Sequence, residues 1–264
     1  MNLADYHIHT YLCGHASGTP EDYINTAVKL NLAEIGFSDH APLPPGLREG
    51  ITMVPGQTED YISLIENLKI KFKDKIIIKT GFEIDFPLHD SLDKKYLTDG
   101  RLDYLIGSCH FIDGWAFDHP ENIAEFNKKD VDDVYARYYK IIEDLASSRY
   151  FNIIGHFDLV KKFGHRAAKD FSPVIQRLCA VISGSGMAVE INTSGSRKPI
   201  GEIYPSDDII DIFFRANVPV SLGSDSHNPD EVGYHFDVAV RKLKKAGYRI
   251  ISGFSKRKRY DILL

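Results

Sequence analysis

The sequence predicts an α/β fold, a distorted barrel of about seven β/α units with parallel strands. Three observations carry this reading. Short β-rich runs alternate with amphipathic helical stretches along the chain. Imidazole and carboxylate groups gather at the ends of the β-rich runs. The length of 264 residues suits one closed barrel better than two separate domains, so a single domain over residues 1–264 is expected.

The first run, 3–9, opens into "DYHIHTYLCGH", where His7 and His9 stand two apart and His15 follows. Residues i and i+2 of a strand share a face, so His7 and His9 aim together. "TPEDYINTAVKL" then offers Thr19 as an N-cap, Pro20 at the first helical position and acids in the first turn. The run 34–39 ends in "FSDH", with His40. The segment 41–57, rich in proline and glycine, is expected to lie over one mouth of the barrel. Tyr61, Leu64, Ile65, Leu68 and Phe72 recur at helical spacing. The runs 76–84, 103–110 and 152–157 end in Glu83 of "GFEID", His110 of "GSCH" and His156 of "IGHFD". Ser172-Pro173 starts another helix, and 187–193 is the sixth run. "YPSDDIIDIFF" carries a further cap, and 218–224 leads into "GSDSH", with Asp225 and His227. "NPDEVGYHFDVAVRKL" reads as a capped last helix, and "SKRKR" near the C-terminus as a solvated tail.

Apolar residues at 43% and charged residues at 26% are ordinary for a soluble globular chain. A net charge of -5 gives no general attraction to nucleic acid or to an anionic membrane. No apolar run is long enough to span a bilayer, and no basic stretch precedes an apolar one at the N-terminus. Cys13, Cys109 and Cys179 are odd in number and lack CxxC spacing, so a disulfide framework is not expected. A reducing cytoplasm and a small-molecule partner are the expectation.

One HxH pair alone is more often structural than metal-binding. His40 alone reads as a loop or cap residue, Glu83 as an ion-pair partner, and His110 or His156 as a satisfied buried histidine. Together they form a different pattern. Six strand ends open at one face of a parallel barrel, where active sites form. Unpaired buried polar groups cost roughly 1–3 kcal/mol each, and metal ions supply the missing partners. Nitrogen and carboxylate ligands without thiolates suit zinc, manganese or iron. Seven histidines and two carboxylates exceed one tetrahedral ion and fit two or three. Multinuclear sites clamp the attacking and leaving oxygens of a phosphoryl displacement, and a carboxylate such as Glu83 can bridge two ions.

With "DYHIHTYLCGH", "GFSDHAP", "GFEIDF", "GSCHFIDGW", "IGHFDL" and "SDSH", the chain resembles the polymerase and histidinol phosphatase (PHP) family of metal-dependent phosphoesterases. The matching stretches run from Asp5 to His227. "HFIDGWAFD", "EINTSGSRKP" and "SDSHNPDEVGYHFD" look most like its histidinol-phosphate phosphatase branch. The resemblance implies a distorted seven-unit barrel and three divalent metals. His7, His9, Glu83 and Asp225 would hold one metal. Glu83, His110 and His156 would hold a second, and His15, His40 and His227 the third. A hydroxide bridging the first two would attack phosphorus. The reaction implied is hydrolysis of L-histidinol phosphate to L-histidinol and inorganic phosphate, in histidine biosynthesis. Another small phosphate ester or a nucleotide end is the alternative. Carbonyl-centred hydrolysis and metal storage are the other classes, and Arg197 with the third ligand set argues for phosphate.

Glu83, Asp225 and Arg197 form the expected catalytic set. Arg197, after the sixth strand, matches phosphate by its planar guanidinium. Lys161 and Lys162 follow the fifth strand and either serve similarly or stand on a solvated helix face. Trp115 and Asp118 follow His110, where a ring face and a carboxylate suit an imidazolyl, amino-bearing substrate. Packing and turn chemistry are the competing roles for this pair. His89, His119, His165 and His235 receive no metal role.

Overall fold

Each β-rich run becomes a strand because it is short, apolar and bounded by turn or cap residues. The computed structural model describes residues 3–47, 49–88 and 94–264, so His89 lies outside the described residues. The strands are β1 (Ala4–Ile8), β2 (Glu34–Phe37), β3 (Ile77–Asp85), β4 (Tyr104–Ser108), β5 (Phe111–Ile112), β6 (Trp115–Ala116), β7 (Ile153–Ile154), β8 (Ala188–Asn192), β9 (Val220–Gly223), β10 (Ile250–Ser255) and β11 (Lys258–Leu263). The helices are α1 (Pro20–Lys29), α2 (Thr58–Lys71), α3 (Val131–Ser148), α4 (Ser172–Ser185), α5 (Asp207–Arg215) and α6 (Phe236–Ala246).

Seven strands form one parallel sheet in the order β1-β2-β3-β4-β7-β8-β9. The sheet comes nearly round on itself. His9 N donates to Ser226 O at 3.0 Å and Ser226 N to His7 O at 3.0 Å, so the segment after β9 meets the end of β1. Asp5 tightens this seam from inside, accepting from Ser224 N and Gly233 N, each at 2.9 Å. The barrel is distorted where β7 spans two residues and where the β1–β2 register shifts between Asp5 and Ile8.

The helices cover the sheet with their apolar faces. Thr19 and Asp22 form the capping box of α1, and Asp130 caps α3 through the Asp132 and Asp133 amides. Val134, Tyr138, Ile142 and Leu145 are the buried stripe of α3. One helix start differs from its sequence reading. Asn228 caps only a short 3-10 turn, Pro229–Glu231, and α6 begins at Phe236 after His235 at φ 55.

The "SKRKR" segment is not a tail. It is the turn of the β10–β11 hairpin, with Lys256 and Arg257 both at positive φ, as a two-residue turn of this hand requires. Asp103, just before β4, holds that turn: its carboxylate accepts from Lys256 N at 3.1 Å and its carbonyl from Arg257 N at 2.9 Å. The Arg257 guanidinium donates to Leu97 O at 3.0 Å and also bonds Asn152 and the Tyr150 carbonyl. Phe254 packs on Tyr6 and Tyr104, closing the barrel at the strands' N-terminal ends. The opposite end is left for the site. No helix among the described residues is long and apolar enough to cross a membrane.

Candidate metal centre

The C-terminal ends of β1, β2, β3, β4, β7 and β9 bring His7, His9, His40, Glu83, His110, His156, Asp225 and His227 to one mouth, and His15 joins them from the turn after β1. Three groups have ligand atoms mutually within 4.8 Å: His7, His9 and Asp225; Glu83, His110 and His156; His15, His40 and His227. His40 also falls with His9 and Glu83 in such a group, and His9 with Cys13 and His227. The rings of His9 and His227 stack at 3.9 Å and those of His15 and His227 at 4.6 Å.

Glu83 lies at the centre, buried among these rings. Its Oε2 is 3.2 Å from His7 Nε2, 3.5 Å from His9 Nε2 and 3.0 Å from His40 Nδ1. Its Oε1 is 3.0 Å from His156 Nε2 and 3.6 Å from His110 Nε2. Each oxygen of one carboxylate therefore faces its own set of imidazoles.

Carboxylates behind the rings fix their orientation. His7 Nδ1 pairs with Glu190 Oε1 at 2.6 Å, and His110 Nδ1 with Asp85 Oδ1 at 2.8 Å. His9 Nδ1 faces Asp39 Oδ1 at 3.5 Å. A carboxylate on Nδ1 turns Nε2 inward as the lone-pair nitrogen, the arrangement metal-ligating histidines use. Glu190 also accepts from His156 N at 2.9 Å, so one side chain aligns ligands from two strands. Gly223 makes room for it, since a Cβ there would collide with the Glu190 carboxylate and with His7. Asp225 sits at φ 53, an uncommon conformation for a residue with a side chain. Its carbonyl accepts from Arg197 Nη2 at 3.0 Å, and its carboxylate from Ser194 Oγ at 3.0 Å.

The electrostatics suit cations. Burial opposes charge on His7, but Glu190, Glu83 and Asp225 outweigh it and hold its pKa well above the usual value, so without a cation this ring keeps a proton that a bound metal would displace. Burial likewise opposes charge on Glu83, and His7, His40 and His110 hold its pKa well below the carboxylate range. Around His15 burial acts with His40 and His9 to lower the pKa to about 4, so that ring is neutral near pH 7. Neutral imidazoles and ionised carboxylates are the ligand forms metals need. The buried Nε2 atoms of His7, His9 and His227 have no hydrogen-bond partner among the described residues, and His110 Nε2 stands 3.2 Å from His156 Nε2. Divalent cations fit these residues, because they supply partners to lone pairs crowded around one carboxylate.

A cavity of about 710 Å³ opens from the centre. Gly50 and Ile51 of the segment 41–57 line it, so that segment does reach the mouth. Arg197 and Asp118 also line it, whereas Lys161 and Trp115 do not. Lys161, expected to contact the substrate, does not line the cavity. It is neither at the mouth nor on a solvated face, because Asp158 at 2.7 Å and Glu202 at 2.9 Å hold it in a buried ion-pair group. Of the adjacent pair, Lys162 lines the cavity, donating to Asp118 Oδ2 at 3.0 Å. Trp115, also expected to contact the substrate, points away from the cavity. Its ring packs edge-on against Phe126 at 4.8 Å, under Lys129, because the β5–β6 hairpin turns it from the mouth. Trp115→Ala is therefore expected to lower stability by about 1–3 kcal/mol, less than a fully buried aromatic. Denaturant unfolding checks this, with the ratio of rates on two phosphate esters expected to stay unchanged.

Glu190, Asp39 and Asp85 were not singled out from sequence. The signal was present: each is a carboxylate within or at the end of a buried, apolar strand, as Glu83 is.

The PHP domain model matches residues 5–194. A probable histidinol-phosphatase of Deinococcus radiodurans is 39% identical over 252 residues, which cover 95% of this chain and 96% of the relative. The histidinol-phosphatase of Bacillus subtilis is 31% identical, covering 92% of this chain and all of the relative, 100%. Among solved structures, a histidinol phosphate phosphatase from Lactococcus lactis subsp. lactis, complexed with zinc, L-histidinol and phosphate, superposes with a TM-score of 0.82. It is 23% identical and covers 98% of this chain and 99% of its own, a likeness of fold.

Proposed function

The chain belongs to the PHP domain family, and from that premise and the geometry of the mouth we infer how its residues carry out phosphate-ester hydrolysis. The protein is a metal-dependent histidinol-phosphate phosphatase, converting L-histidinol phosphate to L-histidinol and inorganic phosphate. The observation that carries the site reading is Glu83, whose two oxygens face two different imidazole sets. That is what a carboxylate shared by two ions requires.

His7, His9, Glu83 and Asp225 would hold one ion, Glu83, His110 and His156 a second, and His15, His40 and His227 a third. Such ions, when bound, make water a nucleophile near neutral pH and neutralise charge on the phosphate. The protein's own groups orient and bind. Glu190 and Asp85 keep His7 and His110 in the tautomer whose Nε2 points inward. Arg197 spends Nη2 on the carbonyls of Ser224 and Asp225, at 2.9 and 3.0 Å, and Nε on Glu231 at 3.2 Å. Its Nη1 is buried without a hydrogen-bond partner among the described residues, and the side chain lines the cavity wall, where a phosphate oxygen would supply that partner. The two-point contact read from sequence is thus half used by the protein itself. Asp118, paired with Lys162, places a carboxylate in the cavity for the cationic part of the substrate. The Lactococcus lactis complex, with zinc, L-histidinol and phosphate bound on the same fold, supports divalent-metal use and this substrate.

Two expected results test the site. Metal-supplied protein binds between two and three transition-metal ions per chain, and His227→Ala lowers that number together with activity. Elemental analysis reads both, and a full complement in His227→Ala would remove it from the ligand set. Arg197→Met keeps the metals but weakens inorganic phosphate inhibition and lowers kcat/KM. A charge-assisted contact of roughly 1.5–3 kcal/mol corresponds to a loss on the order of ten- to a hundredfold. Unchanged phosphate inhibition would refute the contact.

A further inference from the structure

We propose that Lys161 is a positioning residue whose buried ammonium fixes the loop between β8 and α5, residues 193–206, and so sets where Ser194 and Arg197 stand at the mouth. The proposal rests on reading Arg197 as a phosphate-facing group.

Lys161 is 2% exposed. An ammonium has three N–H donors, and here each has an acceptor. Nζ donates to Ile203 O at 3.1 Å and meets Asp158 Oδ2 at 2.7 Å and Glu202 Oε1 at 2.9 Å. Two of the three acceptors belong to the loop. Asp158 Oδ2 accepts from Ser206 N at 3.0 Å, and the Lys162 carbonyl from Ile200 N at 3.1 Å. The short turn after His156 therefore grips the loop at four places, and Lys161 is the charge at the middle of the grip.

The grip bears on the mouth through the loop's first half. Asn192 and Tyr204 exchange backbone hydrogen bonds at 2.7 and 2.8 Å, which folds the loop back on the end of β8. The folded half carries Ser194, bonded to the Asp225 carboxylate, and Arg197, bonded to the carbonyls of Ser224 and Asp225. The Tyr204 ring lies 5.4 Å from Lys161 Nζ and 6.5 Å from the His156 ring, so the lysine sits one side chain behind the centre. A buried ion pair is a weak source of stability, since its desolvation offsets its attraction. What three directed contacts add over an apolar side chain is a fixed loop position. Small displacements of substrate-positioning groups carry large kinetic penalties.

The test uses the metal-loaded protein and compares Lys161→Met, Asp158→Asn/Lys161→Met and Glu202→Gln with Arg197→Met. The double variant removes both charges of the inner pair, so no carboxylate is stranded there. Glu202 is 34% exposed, so its amide variant is expected to keep the fold. Metal content is expected to stay at the wild-type value in all of them. KM for L-histidinol phosphate and the inhibition constant of inorganic phosphate are expected to rise together, on the order of tenfold without the lysine and a few-fold in Glu202→Gln. A purely structural lysine would lower Tm or the active fraction and leave both constants alone. The proposal is overturned if Arg197→Met raises the phosphate inhibition constant and no folded variant of Lys161 or Glu202 does. If Arg197→Met leaves that constant unchanged, the reading of Arg197 fails and the proposal falls with it.

Discussion

Glu83→Gln is expected to abolish phosphatase activity, with a loss on the order of a thousandfold or more, exceeding that of any single histidine variant. The carboxylate faces His7, His9 and His40 with one oxygen and His110 and His156 with the other. An amide can offer one oxygen acceptor, and its NH2 group would be directed at imidazole nitrogens on the other side. Two ion positions are therefore damaged at once. Metal analysis of the variant is expected to show the loss of more than one ion relative to wild type. Near-normal activity with full metal content would mean that Glu83 does not bridge.

Removal of the metals is the second large effect. Chelated protein is expected to lose all measurable turnover and to regain it on adding a divalent transition metal. It is also expected to be less stable. Ions that bind only the folded chain stabilise it by mass action, by about 4 kcal/mol at a thousandfold excess over Kd. For a chain of this size that corresponds to a fall in Tm on the order of 10 °C on stripping. The structural cause is visible at the mouth, where buried Nε2 atoms of His7, His9 and His227 lack hydrogen-bond partners among the described residues. Thermal melts with and without chelator read the difference. A stripped sample with unchanged Tm and turnover would contradict metal dependence.

The barrel was legible because its signals are local. Seven short β-rich runs, most of them separated by helical stretches, give strand order and parallel sense without long-range information, and all seven appear in the main sheet. The residues at the mouth were legible because imidazole and carboxylate seldom end an apolar strand by chance. The C-terminal hairpin was not legible. Its turn residues, Lys256 and Arg257, are not the glycine or asparagine that signal such a turn. They adopt positive φ because Asp103, far away in sequence, holds their amides. Lys161 and Lys162 show a second kind of failure. Adjacent lysines look alike in sequence, yet one is buried against Asp158 and Glu202 while its neighbour faces the cavity. Only the fold of the partner loop distinguishes them. Trp115 was misplaced for a similar reason. The two-residue strands of its hairpin decide which way the ring points, and they are too short to leave a periodic signal. Glu190 is different, since a carboxylate inside "AVEIN" was a visible anomaly, and its partner His7 explains it.

The most direct measurement is phosphate release by metal-loaded protein from L-histidinol phosphate and from a panel of other phosphomonoesters, at equal protein concentration. A cavity lined by Asp118 together with the candidate metal ligands predicts a kcat/KM for L-histidinol phosphate about ten- to a hundredfold above that for an aryl phosphate, consistent with losing one buried charge-assisted contact. No phosphate release from L-histidinol phosphate, or a higher kcat/KM for another ester of the panel, would contradict the account.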